Sequence, residues 1–221
     1  MKSSSLAFSV AFVALMTHFS AQAEDLRGDA TAGEKKISMC VGCHGIIGYH
    51  ASFPEVHRVP KIAGQNAKYI VAALGEYKRG ERKHPTMRGI ASTLSDQDMA
   101  DLAAFYSTSG VDFNRPALDK APPAAGAAQA LVEKAGCASC HGDSFSKPAD
   151  PSFPKIAGQY PDYLYVALKA YKTTDKKVIG RGNPVMGAVA KQFSNEELQL
   201  LADYVGSLPT ELKTIQPSRF R

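Results

Sequence analysis

Cysteine is scarce in this sequence, and its placement leaves none for a structural disulfide elsewhere. The chain of 221 residues has four cysteines, and all of them lie in two Cys-x-x-Cys units. A small fold held by additional disulfides is therefore excluded, because no thiol lies outside the two units.

Three further signals are missing. The N-terminal apolar stretch, residues 6–19, is shorter than the roughly 20 residues that a membrane-spanning helix needs. The formal net charge of +5 is modest and is not gathered into a basic stripe, which argues against a nucleic-acid partner. No alternating strand pattern of any length occurs. The composition, 44% apolar and 21% charged, is that of an ordinary globular protein.

The two cysteine units have the spacing of a covalent haem attachment site. Each thiol can add to one vinyl group of a porphyrin, and a histidine directly after the second thiol can bind the iron. The units consist of Cys40, Cys43 and His44 in the first half, and of Cys137, Cys140 and His141 in the second. The pattern predicts two covalently bound haem c groups, with both histidines as axial iron ligands.

Three other uses of paired cysteines compete with haem. Two disulfides are compatible with an even number of cysteines in a secreted chain. Zinc-binding pairs usually lie about 15–20 residues apart, whereas nearly half the chain separates Cys40 from Cys137. A thioredoxin-like redox pair would need a strand–helix–strand context that neither unit has. The spacing and the following histidines favour haem.

The two halves of the chain repeat each other. The sequence Pro-Lys-Ile-Ala-Gly-Gln occurs at residues 60–65 and again at residues 154–159. Ser95 and Ser194 each open a similar acidic segment. A period of this length indicates duplication of one domain. We therefore predict an all-α fold of two tandem domains, each with helices and loops wrapped around a covalently bound haem.

Composition sets the predicted boundaries. Residues 1–23 resemble a secretory signal, because a basic residue and an apolar stretch precede a small-x-small cleavage site. The first domain is then residues 24–116, the Pro/Ala/Gly-rich linker residues 117–125 and the second domain residues 126–221. Bacteria attach haem covalently outside the cytoplasm, so we expect a periplasmic protein. An uncleaved segment that tethers the chain to the membrane is the alternative.

Three helices are predicted in the first domain. A capping box at residues 31–34 begins a helix that leads into Cys40. Residues 68–78 have helical periodicity, and Ser95 opens a third helix. The apolar face of that third helix consists of Met99, Leu102, Ala103 and Tyr106.

Met87 and Met186 are the predicted sixth ligands of the irons. Each lies in a Pro-x-Met segment that we expect to be a loop, at an equivalent place in its half. Met39 is too close to the cysteine unit to reach the opposite haem face, and Met99 suits the core. Histidine and methionine would fill both axial positions, so no substrate is expected at the iron.

The remaining candidates are weaker. Metal-bound histidines usually donate their second N–H to a carbonyl or carboxylate, and Pro60 and Pro154 are candidates for that acceptor. A simple turn at each proline is the alternative. His50, His57 and His84 have no histidine counterparts in the second half, so we expect ordinary polar surface roles for them.

With these repeated motifs in hand, the chain resembles the dihaem cytochrome c4 family over nearly all of residues 28–210. The resemblance implies two tandem class I cytochrome c domains and electron transfer in the periplasm or at the membrane, often to a terminal oxidase. It also implies the axial pairs His44 with Met87 and His141 with Met186. The backbone carbonyls of Pro60 and Pro154 would accept hydrogen bonds from these histidines. One departure is the longer first-domain loop at residues 45–59, which leaves the partner open.

The leading functional interpretation is a carrier that moves electrons one at a time between a donor and an acceptor such as a terminal oxidase. No catalytic residue is predicted. The alternative is the cytochrome subunit of a dehydrogenase, for example one that oxidises sulfide or an alcohol. A dihaem peroxidase is a more remote alternative. That enzyme needs one iron with an axial position that can open for substrate, and the equivalent methionines in both halves argue against such a position.

A basic segment precedes each candidate methionine. The segment either steers an acidic partner, or forms solvated surface or neutralises haem propionates. Its members are Lys78, Arg79, Arg82 and Lys83 in the first half, and Lys172, Lys176, Lys177 and Arg181 in the second.

Overall fold

The computed structural model describes residues 26–112, 117–173 and 175–216. The predicted signal, residues 1–23, lies outside these ranges. The helices are α1 (Ala30–Lys36), α2 (Ser38–His44), α3 (Ala67–Arg79), α4 (Pro85–Ser92), α5 (Asp96–Thr108), α6 (Ala127–Ala135), α7 (Ala138–His141), α8 (Pro161–Lys172), α9 (Pro184–Ala190) and α10 (Asn195–Ser207). Within the described ranges, no helix is both long and apolar enough to cross a bilayer.

Helices α3 and α5 confirm two of the three predicted helices. Ser95 begins the third helix as predicted, and it does so through a capping box: its hydroxyl accepts from the Asp98 N–H while the Asp98 carboxylate accepts from the Ser95 N–H. The same box between Ser194 and Glu197 begins α10. The equivalent last helices of the two halves therefore begin through the same local chemistry.

The predicted capping box at residues 31–34 is wrong. Asp29 caps α1 instead, and its carboxylate accepts from the N–H groups of Thr31 and Ala32 at 2.8 and 3.3 Å. The N–H of Asp29 donates to the Asp101 carboxylate of α5 at 2.9 Å, which ties the start of α1 to the core. A separate helix, α2, carries the first cysteine unit.

The long helices α5 and α10 are the centres of two equivalent cores. Helices α1 and α3 pack on α5, and α6 and α8 pack on α10. The predicted apolar face of α5 is confirmed as buried, and its counterparts in α10 are buried as well. These positions are Met99, Leu102, Ala103 and Tyr106 in α5, and Leu198, Leu201, Ala202 and Val205 in α10.

The expectation of a fold without strands needs a correction. Strand β1 (His50–Ala51) pairs antiparallel with β2 (His57–Arg58), and β3 (Arg82–Lys83) pairs antiparallel with β4 (Gly180–Arg181). Two-residue strands are too short to show an alternating pattern in sequence. Because β3 belongs to the first half and β4 to the second, their pairing joins the two domains.

The longer first-domain loop also crosses to the second domain. Strand β2 packs on α8, where the Arg58 Nε lies 3.0 Å from Oδ2 of Asp162. His57 is only 4% exposed, and its ring centroid lies 6.1 Å from that of Tyr163. The predicted surface role of His57 is therefore wrong, since this part of the loop is buried at the domain seam.

Candidate haem centres

Both Cys-x-x-Cys-His units lie on short helices. The first unit ends α2, and the second spans α7 together with Cys137 directly before it. All four thiols are half-buried and free, so neither pair forms a disulfide. In the described part of the chain, no three His, Cys, Asp or Glu side chains are grouped so that they could hold a metal ion.

Each histidine is fixed by a proline carbonyl. Nδ1 of His44 lies 2.9 Å from O of Pro60, and Nδ1 of His141 lies 2.9 Å from O of Pro154. A carbonyl only accepts, so each ring donates its proton from Nδ1 and keeps Nε2 unprotonated. A histidine that binds a metal through Nε2 needs this tautomer and this kind of acceptor.

Burial shifts the pKa values of the histidine and of the first cysteine in both units. It lowers the pKa of His44 and of His141, although each proline hydrogen bond acts in the opposite direction. Burial also raises the pKa of the Cys40 and Cys137 thiols. Neutral imidazoles suit iron binding, whereas thiols that resist ionisation are poor zinc ligands.

Met87 and Met186 lie on helices, so the prediction of two loops is wrong. Pro85 and Pro184 are the first residues of α4 and α9, which places each methionine in the first turn. Proline suits this position because its missing N–H would have no helical partner there. Both methionines are half-buried. Their role as sixth ligands stays a prediction.

The residue before each proline caps the methionine's helix. Nδ1 of His84 accepts from the Met87 N–H at 3.3 Å, and Oδ1 of Asn183 accepts from the Met186 N–H at 2.9 Å. The predicted surface role of His84 is therefore wrong, because His84 positions the turn that carries Met87. The sequence contained a signal for this role, since Asn183 at the equivalent position is a strong N-cap residue.

The donor chemistry and one buried atom fit a haem at these sites. Tyr106 is 3% exposed, and its hydroxyl makes no regular hydrogen bond within the described ranges. Burial, together with the adjoining Cys40 thiol, raises the pKa of Tyr106. A thiol is a weak acceptor, so the hydroxyl is poorly satisfied beside the attachment site. With two thiols and a free imidazole nitrogen in each half, the residues present fit covalently attached haem.

A symmetric set of hydrogen bonds links the two sites. Oε1 of Gln65 accepts from the Lys155 N–H and its Nε2 donates to the Lys155 carbonyl, both at 2.9 Å. Gln159 makes the same pair with Lys61, at 2.9 and 2.8 Å. The two lysines directly follow the prolines that accept from the histidines. We call these four hydrogen bonds the glutamine clamp; the sequence analysis missed it, although the repeated glutamine was visible.

Part of the basic segments is engaged in packing. Lys78 donates to the Leu94 carbonyl at 2.6 Å, and its counterpart Lys172 donates to the Phe193 carbonyl at 2.8 Å. These lysines hold the turns before α5 and α10. Arg82 is buried, so a fully solvated surface is excluded for this residue.

Comparison with known proteins identifies the fold. The family model for cytochrome c matches residues 30–109 and again residues 125–209. The chain belongs to the cytochrome c family. Cytochrome c4 of Pseudomonas aeruginosa is 30% identical over 184 residues, which cover 82% of this chain and 89% of that protein. The crystal structure of reduced recombinant cytochrome c4 from Pseudomonas stutzeri is 28% identical, with a TM-score of 0.58, over 82% of this chain and 100% of that one.

These matches confirm the tandem cytochrome c fold and the resemblance to cytochrome c4. The cytochrome carries two covalently bound haem c groups, at Cys40 with Cys43 and at Cys137 with Cys140. It is a dihaem electron-transfer protein rather than an enzyme, and its partners are redox proteins. A further relative is the thiosulfate dehydrogenase electron acceptor of Stutzerimonas stutzeri, 31% identical over 203 residues, which cover 88% of this chain and 91% of that protein. The predicted domain boundaries stay predictions.

Proposed function

We propose that this cytochrome is a periplasmic electron relay in which His44 with Met87, and His141 with Met186, hold the two irons. The supporting observation is the equivalence of the halves. In each, a proline carbonyl fixes the histidine and a proline-started helix carries the methionine in its first turn. Export is supported by the signal-like residues 1–23 and by the site of bacterial haem attachment.

The protein's own residues would keep both centres ready for electron transfer. Each haem supplies one iron that exchanges a single electron. His44 and His141 remain neutral and oriented through their Nδ1 hydrogen bonds, so little rearrangement accompanies a change of charge. Met87 and Met186, if they hold the irons, would exclude water and substrate from them. The glutamine clamp would keep the two centres in a fixed relation.

Replacing the methionines one at a time tests the ligands. We expect wild type to show two low-spin centres with the near-red absorption of iron bound to a thioether. Met87→Lys and Met186→Lys should each remove about half of that absorption and lower the potential of one centre, because nitrogen favours ferric iron more than sulfur does. Met99→Leu, which alters a core methionine, is the matched control. Unchanged absorption in either lysine variant would refute the assignment for that centre.

A dehydrogenase is the second candidate partner, either as donor or as a permanently associated subunit. The observation that favours it is the likeness to a thiosulfate dehydrogenase electron acceptor. Ferric protein should then be reduced rapidly by thiosulfate plus that dehydrogenase, and not by thiosulfate alone. Ferrous protein should be oxidised by a terminal oxidase if the carrier role is right. Peroxide turnover by the isolated protein would instead favour the remote peroxidase alternative.

Cell fractionation tests the proposed location. We expect the chain, beginning at Glu24, in the periplasmic fraction. Recovery in the membrane fraction with residues 1–23 still attached would favour the tether instead.

A further inference from the structure

The peptide group that accepts from each histidine also has a partner in the other domain. The carbonyl of Pro60 and the N–H of Lys61 belong to one peptide group. That carbonyl lies 2.9 Å from Nδ1 of His44, and that N–H donates to Oε1 of Gln159 at 2.9 Å. A single planar amide therefore joins a histidine of the first domain to a glutamine of the second.

The second half repeats this arrangement with the domains exchanged. The carbonyl of Pro154 lies 2.9 Å from Nδ1 of His141. The N–H of that peptide group belongs to Lys155, and it donates to Oε1 of Gln65 at 2.9 Å. Each histidine is thus linked to a glutamine of the opposite domain, and the two links are equivalent.

Both glutamine side chains are buried and fixed in one orientation. Gln65 is 4% exposed and Gln159 is 5% exposed. Besides the N–H across the seam, Oε1 of Gln65 accepts from the Asn66 N–H at 3.0 Å. Oε1 of Gln159 likewise accepts from the Tyr160 N–H at 3.0 Å. Two N–H groups face each oxygen and a carbonyl faces each nitrogen, so a rotated amide would lose all of these hydrogen bonds.

Each glutamine is anchored on its own domain. The residues before them, Gly64 and Gly158, have φ values of +81° and +60°, which favour glycine. The Gly64 N–H donates to the Tyr106 carbonyl of α5 at 2.8 Å, which holds the turn on the last helix of the first domain. The Gly158 N–H donates to the Val205 carbonyl of α10 at the same distance. The position of each glutamine therefore depends on the core of its own domain.

Hydrogen bonds that pass through a single peptide group strengthen one another. When the N–H of an amide donates, its carbonyl becomes a stronger acceptor, an effect of about 10–30% per bond. A stronger acceptor draws the proton of the histidine Nδ1–H and makes Nε2 a better electron donor to a metal. A better donor favours ferric iron. Loss of the glutamine oxygen would therefore raise the potential of the centre in the other domain.

We propose that each glutamine of the clamp is a positioning residue for the histidine of the other domain. Gln159 acts on His44 through the first peptide group. Gln65 acts on His141 through the second. The proposal rests on the proposed ligation of the irons by the two histidines. It gives the glutamine clamp a role beyond holding the domains together, because contact between the domains becomes part of what sets both potentials.

The test uses the holoprotein with both haems attached and with isotopically labelled histidine. NMR of the ferrous protein follows the Nδ1–H signals of His44 and His141, and a redox titration gives both potentials. Gln159→Met fills the space of the side chain but removes its hydrogen bonds. Gln159→Glu keeps an oxygen that accepts from the Lys61 N–H and loses the donor. Gln199→Met is the matched control, because that amide makes its hydrogen bond within α10.

We expect the two substitutions at Gln159 to act on His44 in opposite directions. Gln159→Met should move the His44 signal upfield and raise one potential, by up to about tenfold in the reduced-to-oxidised ratio or 59 mV for one electron. Gln159→Glu should move that signal downfield, because a carboxylate accepts more strongly than an amide. The His141 signal should match the control in both. Gln65→Met should instead move the His141 signal alone.

This crossed pattern distinguishes positioning from packing. The second glutamine stays in place in every variant, so the domains remain docked. Histidine signals that match Gln199→Met, or a response confined to the substituted domain, would overturn the proposal. An equal response of both histidines would overturn it as well. If Gln159→Met does not retain both haems, Gln159→Glu decides: a downfield shift at His44 supports the proposal, and an unchanged or upfield signal overturns it.

Failure of the histidine ligation itself would be visible in wild type. The porphyrin ring current moves the ring protons of a histidine bound to ferrous haem far upfield. A wild-type His44 or His141 without this displacement would refute the ligation and this proposal together. Displaced ring protons, with the same Nδ1–H signals in wild type and variants, would overturn only the action of one domain on the other.

Discussion

At the residue scale, the clearest difference between the two halves is the tyrosine beside each attachment site. Tyr106 lies in the first core with an unsatisfied hydroxyl next to Cys40. Tyr204, next to Cys137, donates its hydroxyl to the Pro122 carbonyl at 2.8 Å. The Tyr106 hydroxyl therefore destabilises the first domain, whereas the Tyr204 hydroxyl contributes a hydrogen bond to the second.

Removing these two hydroxyls should have opposite effects on stability. An unsatisfied buried hydroxyl costs about 1–3 kcal/mol, and a made hydrogen bond contributes about 1 kcal/mol. We expect Tyr106→Phe to leave the unfolding free energy unchanged or higher, and Tyr204→Phe to lower it by about 1 kcal/mol. Denaturant unfolding of the two holoprotein variants measures both. A Tyr106→Phe variant less stable than Tyr204→Phe would show that the Tyr106 hydroxyl has a partner when haem is bound.

Asp101 provides a pH-dependent contribution to stability. Its carboxylate accepts from the Asp29 N–H and from Lys36, and these two hydrogen bonds lower its pKa. A lowered folded-state pKa stabilises the fold above the ordinary aspartate pKa of about 3.9, and this stability is lost as the pH falls towards the folded value. Wild type should therefore exceed Asp101→Asn in unfolding free energy at neutral pH, with the difference shrinking below about pH 4. Asp96→Asn on the same helix is the control. A difference that is constant between neutral and acid pH would contradict this explanation.

Residues with covalent or ligand chemistry were the easiest to find in the sequence. The cysteine spacing predicted both haems, because attachment chemistry depends on positions a few residues apart. His57 was missed as a buried residue, because the helix that β2 packs on, α8, belongs to the other domain. Burial produced by docking two folded units leaves no periodic signal in either one.

At the element scale, duplicated features were more predictable than unique ones. The serines that begin α5 and α10 occur in both halves and were recognised as helix starts from local sequence. Helices α4 and α9 were taken for loops, because a helix of seven or eight residues that starts at proline has little room for an apolar period. The strands of the seam are two residues long, and their pairing depends on the partner domain.

The glutamine clamp should determine how strongly the two domains depend on each other. Gln65→Ala or Gln159→Ala leaves one buried N–H and one carbonyl unpaired, at about 1–3 kcal/mol for each such group. We expect calorimetry to show one transition for wild type and two separated transitions for the double variant. The losses of unfolding free energy in the two single variants should sum to more than the loss in the double variant, because either substitution alone already weakens the contact between the domains.

Gln199→Ala is the matched control for the clamp. Its amide donates to Asp203 on the surface of α10, so its loss should leave a single transition. Additive single effects together with one transition in the double variant would show that other seam contacts suffice.

At the scale of the whole molecule, the seam combines symmetric and asymmetric contacts. The clamp and the β3–β4 pair relate equivalent residues, whereas two further contacts have no counterpart among the residues that the structure describes. One is the hairpin of β1 and β2 on α8, and the other is the C-terminal segment, in which the Lys213 N–H donates to the Ala63 carbonyl at 3.0 Å. Ile215 of that segment packs on the first core. These one-sided contacts give the two domains different neighbours, although their cysteine units are equivalent.

Haem should act as a structural part of both cores. Each half that the family model matches is small for a core made of side chains alone, and in each the first cysteine packs on that core. Replacing all four cysteines by alanine prevents attachment without touching the histidines. We expect this haem-free chain to lose much of its helical circular dichroism and its cooperative thermal transition. Wild-type holoprotein expressed and purified in the same way is the reference, and native-like dichroism with a sharp transition in the haem-free chain would show that the side chains alone complete the two cores.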